Sequence, residues 1–167
     1  MSLLALCAAA YAALLVAAAV CDVAWLKVPN AIPVALLVLL GIAGAASPQP
    51  IFWLSHASAG AVILAFCVPL YALGKIGGGD VKLMSILGLW QGFPMLPTLL
   101  FAVAICGCAV AVTFLVLRAL NARSWLASIG IRLVSLEAAD NVPYAVAISG
   151  GALTILPHVP VLSPLFT

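Results

Sequence analysis

The chain has 167 residues, 67% of them hydrophobic and only 6% charged, with a mean hydropathy of +1.36. Soluble domains carry about 25% charged residues, so this composition excludes a soluble globular domain and describes an integral membrane protein. The net charge of +2 says little by itself, because the placement of Lys and Arg around the spans matters more than their sum.

The expected fold is all-α, a polytopic bundle of about six transmembrane helices in one membrane domain covering residues 1–167. Ser2 to Val20 is an apolar run long enough to cross a bilayer core of about 30 Å. It lacks the basic start and clean cleavage site of a signal peptide, so it reads as a retained first span. Cys21 to Asn30 is a polar break holding Asp22, Lys27, Pro29 and Asn30; Pro29-Asn30 suits a turn into a new helix. Ala31 to Ala46 is the second span, and Ser47-Pro48-Gln49-Pro50 an uncharged turn. Ile51 to Leu73 is the third, with Pro69 a tolerated kink. Gly74 to Lys82 reads as a loop. Leu83 to Phe93 is too short to cross alone at about 1.5 Å per residue, and suffices only if its helix starts near Asp80 and turns at Phe93-Pro94. Pro97 to Leu117 is the fifth span. In Arg118 to Asn141, the stripe Trp125, Ile129, Leu133, Leu136 suits a helix on the cytoplasmic membrane surface, against the alternative of a solvated linker. Val142 to Pro160 is the last span.

Six spans place Lys27, Lys75, Lys82, Arg118, Arg123 and Arg132 on one side. These are all the Lys and Arg of the chain. Positive residues mark the cytoplasmic side, so the N-terminus is expected outside. The five cysteines, Cys7, Cys21, Cys67, Cys106 and Cys108, form no C-x-x-C pair and sit in or beside apolar runs. They read as small apolar residues, and neither a metal site nor a cofactor is expected. His56 and His158, far apart, read as structural or interfacial.

The same topology puts Asp22 and Asp80 at one face of the membrane. They are the only acidic residues besides Glu137 and Asp140, and an ionisable group at a span is a functional hypothesis by default. Gly77-Gly78-Gly79 directly precedes Asp80. Each glycine costs a helix interior about 1 kcal/mol against alanine, and glycine is useful where backbone bends sharply or lies close to another chain. Two carboxylates brought together share a proton. One then takes a proton from water while the other polarises a scissile carbonyl, as in aspartic proteases. The plainer alternative is that each Asp caps a helix or pairs with a neighbour, Asp22 with Lys27 or Asp80 with Lys82.

Asp22…Lys27-Val28-Pro29-Asn30 followed by Gly77-Gly78-Gly79-Asp80-Val81-Lys82-Leu83 resembles the type IV prepilin peptidases, membrane aspartic peptidases of the GxGD class. Pro143-Tyr144 resembles the family's Pro-Tyr or Pro-Phe segment entering the last span. The short form is most similar to the peptidases of Flp (tight-adherence) pilus systems. The resemblance implies that Asp22 and Asp80 are the catalytic pair. It implies pilin precursors as substrates, with a basic leader, a glycine before the cut and a hydrophobic helix after it, cleaved at the cytoplasmic face of the bacterial inner membrane. Gly77, Gly78, Gly79, Lys82, Lys27, Pro29, Asn30, Pro143 and Tyr144 are supporting residues on this reading. Expected partners are the pilin precursor, membrane lipid and the pilus assembly or secretion machinery, with no nucleic acid. Longer members carry a zinc-binding cytosolic insertion and also N-methylate their product; that insertion is absent between the first two spans here, which leaves methylation open. A proton- or ion-coupled transporter and a non-enzymatic subunit of a pilus assembly remain as alternatives, though transporter carboxylates usually lie near the midplane.

Overall fold

A computed structural model describes residues 2–120 and 142–166. Every regular element among them is helical: α1 (Leu3–Trp25), α2 (Ala31–Ala46), α3 (Trp53–Ala72), α4 (Gly78–Ala119) and α5 (Tyr144–Thr154), followed by two short 3-10 turns at Leu156–His158 and Ser163–Leu165. α1, α3 and α4 are long and apolar enough to cross a membrane, whereas α2 and α5 are shorter apolar helices. The expected surface helix through Trp125 and Leu136 lies outside the described residues.

α1 starts on Ser2, whose Oγ accepts the Ala5 N–H at 3.2 Å, which satisfies one of the orphan donors of a helix start. The helix runs past the polar break expected at Cys21. It stops only where Leu26 turns left-handed (φ 51°) and returns its N–H to the Asp22 carbonyl. The buried positions Leu4, Ala8, Tyr11, Leu15, Ala18 and Asp22 recur every three or four residues, one stripe of a 3.6-residue helix. Asp22 is thus the last member of the packing stripe rather than a residue of the loop.

α4 has 42 residues, about 63 Å if straight, twice a bilayer core. It is not straight. Gly92 adopts φ 69°, ψ 169°, a conformation open essentially to glycine alone, and divides α4 into a short and a long limb. The turn expected at Phe93-Pro94 therefore falls one residue earlier, because the glycine supplies the positive φ that neither neighbour reaches. The start also differs from expectation. Gly77 is the N-cap, and Gly78, Gly79 and Asp80 already form the first turn of α4. The positive φ of the preceding loop belongs to Gly74.

Packing within the bundle relies on small residues that let backbones approach. A Cβ on Gly60 of α3 would meet Leu89 at 2.6 Å, one on Gly88 would lie 3.1 Å from the Ala59 carbonyl, and one on Gly151 of α5 would lie 2.6 Å from the Val103 backbone. The short limb of α4 is fixed to α2 by the Trp90 indole, which donates to the Leu36 carbonyl at 3.1 Å and lies against the Tyr11 ring at 4.6 Å between centroids. Phe66, Phe101 and Leu115 are exposed, as suits side chains facing lipid.

Candidate active site

Asp22 arrives on the buried stripe of α1 and is 5% exposed. A carboxylate this deep needs a hydrogen-bond partner. It finds one at the start of the last helix, where Ala145 N–H donates to Asp22 Oδ2 at 2.7 Å. The donor is one of the unpaired amides at the N-terminus of α5, the end of a helix that favours negative charge. Pro143, buried and acting as the N-cap of α5, sets that entry point.

Asp80 stands in the first turn of α4, half-buried, with its carboxylate folded back on the Gly77 N–H, the reciprocal arm of a capping box. A Cβ on Gly77 would sit 2.9 Å from Asp80 Oδ2, so only glycine leaves that carboxylate its place. Gly79 matters differently: its imagined Cβ lies 3.1 Å from Val28 Cβ and 3.5 Å from the Val28 N and O. The glycine run lets the Lys27–Asn30 turn close directly onto α4.

That closure brings the two aspartates together. Asp80 feels the charge of Asp22, and both line two adjoining cavities. One, of about 260 Å³, is walled by Leu26, Lys75, Ile76, Val142 and Tyr144. The other, of about 250 Å³, is walled by Lys27, Val28, Asn30, Gly79 and Lys82. A third, apolar cavity of about 210 Å³ has Asp80 and Tyr144 at its edge and Cys67, Met84, Val103 and Ile148 among its walls.

The plainer readings of the acids are tested by these contacts. Among the described residues neither Asp22 with Lys27 nor Asp80 with Lys82 forms an ion pair; the Lys82 ammonium instead donates to Asn30 Oδ1 at 2.8 Å. Asp80 does cap its own helix, but Asp22 caps a different one. Of the supporting residues expected from sequence, Lys27, Asn30, Gly77, Gly78, Gly79, Lys82 and Tyr144 line the cavities. Pro29 is exposed and outside them, and Pro143 acts from behind through α5. Sequence reasoning missed Leu26, Ile76 and Val142, apolar residues with no chemical signature, and the Ala145 amide, which no side chain marks; the only sequence signal for it is Pro143 as a helix start.

No group of three or more His, Cys, Asp and Glu comes together among the described residues, and the described cysteines are all free thiols, two of them buried. The model of the type IV leader peptidase family matches residues 9–112, a stretch that takes in both aspartates and the glycine run. The chain belongs to the type IV leader peptidase family. Membership supports a peptidase function of the type IV leader peptidase kind, and the apolar helices suit a membrane protein. Neither the curated proteins nor the solved structures contain a match to this leader peptidase.

Proposed function

We propose that the chain is an aspartic endopeptidase that removes the leader of Flp-type pilin precursors after a glycine, at the cytoplasmic face of the bacterial inner membrane. The observation that carries the reading is the convergence of Asp22 and Asp80, from helices far apart in sequence, on the walls of the same two cavities. Two neighbouring carboxylates hold one proton between them. The ionised member draws a proton from a water in the cavity as the water attacks the scissile carbonyl. The protonated member donates to the carbonyl oxygen as it becomes the oxyanion. Collapse of the tetrahedral intermediate returns a proton to the departing amine and frees the new N-terminus. The apolar cavity beside Asp80 offers a seat to the hydrophobic part of the substrate, and the polar cavities a channel for the leader. Gly77 and Gly79 serve the site by leaving room for the Asp80 carboxylate and for the Lys27–Asn30 turn.

Six crossings with the N-terminus outside agree with the clustering of Lys27, Lys75 and Lys82 around the aspartates, at the end where α1 and α3 finish and α2 and α4 begin. The positive-inside rule makes that end cytoplasmic.

The test is cleavage of a pilin precursor by Asp22→Asn and Asp80→Asn, with Glu137→Gln and Asp140→Asn as controls at matched protein levels. Each dyad variant is expected to insert and to lose processing, and the double variant to be scarcely worse than either single one, since residues acting as a unit are not additive. Substantial processing by either single variant would refute the dyad and leave a transporter or a non-enzymatic subunit as the reading to pursue.

A further inference from the structure

The end of the bundle away from the aspartates holds a second polar site. Gln91 closes the short limb of α4, about 16 Å from Asp80 by helix rise. It is 0% exposed, and neither its carboxamide nitrogen nor its oxygen has a hydrogen-bond partner. Orphaned groups of this kind are rare in native structures, and each calls for an explanation. Tyr11 and Ser149 also carry buried hydroxyls without partners, and neither lines the cavity that Gln91 lines. That cavity, of about 270 Å³, is bounded by Gln49, Phe52, Ser55, His56, Met95 and Pro160.

His56 narrows what the cavity accepts. Its Nδ1 lies 2.6 Å from the Leu89 carbonyl. A carbonyl only accepts, so Nδ1 carries the hydrogen, and in the neutral ring Nε2 is left as an acceptor. Nε2 faces Gly92, where a Cβ would lie 3.3 Å from it, and it has no partner among the described residues. Ser55 Oγ is already engaged by the Phe93 N–H at 3.0 Å. No Lys or Arg among the described residues lines the cavity. The site therefore offers an imidazole acceptor and a carboxamide, without fixed positive charge, and it matches a ligand with O–H or N–H donors.

Its position names the source of that ligand. Phe52, Trp53, Leu54 and Phe93 are exposed around the rim, the aromatic and apolar belt of a membrane interface, where phospholipid headgroups lie. We propose that this cavity binds the headgroup of a phospholipid bearing hydroxyl or ammonium donors, such as phosphatidylglycerol or phosphatidylethanolamine, through His56 Nε2 and the Gln91 carboxamide. The site stands on its own geometry and does not depend on the peptidase reading.

The test starts from delipidated full-length protein returned to nanodiscs of phosphatidylcholine doped with phosphatidylethanolamine or phosphatidylglycerol, with retained lipid counted by native mass spectrometry. One hydrogen bond to a buried group corresponds to about tenfold in affinity, so the donor-bearing lipids should be retained about tenfold over phosphatidylcholine. Gln91→Met should erase that preference. Free ethanolamine or glycerol should not displace the lipid, because the acyl chains hold it at the rim. In parallel, phosphatidylethanolamine with a photoreactive headgroup should label wild-type protein at residues 47–56 or 91–95, a readout that needs no variant. Equal retention of all headgroups, an unchanged preference in Gln91→Met, displacement by the free head alcohols, or labelling elsewhere would each overturn the proposal.

Discussion

Replacing Gly79 with alanine adds one methyl group at the place where the Lys27–Asn30 turn touches α4. Gly79 is helical, so alanine brings a propensity gain of about 1 kcal/mol. Against it stands the new methyl, 3.1 Å from Val28 Cβ where ordinary contact is 3.4–4 Å. Overpacking of this order costs about 1–3 kcal/mol, so the net loss of stability is about 0–2 kcal/mol and the protein remains folded. Relief of the contact moves Val28 away by about 0.3–0.5 Å, and since about 1 Å of misplacement at a catalytic group costs about a hundredfold, that shift lowers turnover about tenfold. Gly79→Leu carries three further carbons into the same gap and should lower turnover by about a hundredfold or more on the same scale. The nearest atom is Val28 Cβ, so Val28→Gly should restore much of the activity of Gly79→Ala, while Val28→Ala, which keeps Cβ, should restore little. The assay is the initial rate of precursor cleavage in detergent, with thermal unfolding of the same samples. Wild-type turnover by Gly79→Ala, or equal rescue by both Val28 variants, would refute the close-approach account and make the glycine run an ordinary helix start.

Four other perturbations read separate parts of the molecule. A topology reporter fused after Arg123 should report cytoplasm and one in the Ser47–Pro50 turn the outside; both on one side would remove the six-span frame. Gly151→Ala forces a Cβ to 2.6 Å from the Val103 backbone nitrogen, and since backbone cannot rotate aside it should lower stability by about 1–3 kcal/mol in denaturation assays. Gly41→Ala, with nothing within 4 Å of the added atom, should be neutral or stabilising by up to about 1 kcal/mol. Chelators should leave cleavage intact, since the chemistry proposed for the carboxylates needs no metal; loss on chelation with recovery on adding zinc would count against the dyad mechanism.

The helices and the two candidate acids are legible in the sequence because both are written in residue type. Apolar runs have the length of spans, and Asp22 and Asp80 stand out in a chain with so little charge. What it could not carry depends on distance. The glycine run read as a loop because three glycines penalise a helix, yet Gly78 and Gly79 are helical; the penalty is offset by a contact with Tyr71 and Val28 that no local window contains. The turn expected at Phe93-Pro94 follows the obvious breaker, whereas Gly92 bends the chain. Asp22 was placed in a polar break because polarity marks boundaries on average, and here one polar residue completes a buried stripe. Its partner amide in Ala145 belongs to the backbone, which has no sequence identity to read.

The hydrogen bond from Ala145 to Asp22 also bears on when the site comes into being. Its donor lies 123 residues downstream of its acceptor, so a ribosome must reach Ala145 before the bond can form. Asp22 and Asp80 enter the membrane early, but the amide that orients Asp22 arrives with the last helix. A chain still in synthesis carries both acids without the amide that holds Asp22, so on the proposed aspartic-peptidase reading the pair is set only once α5 is in place.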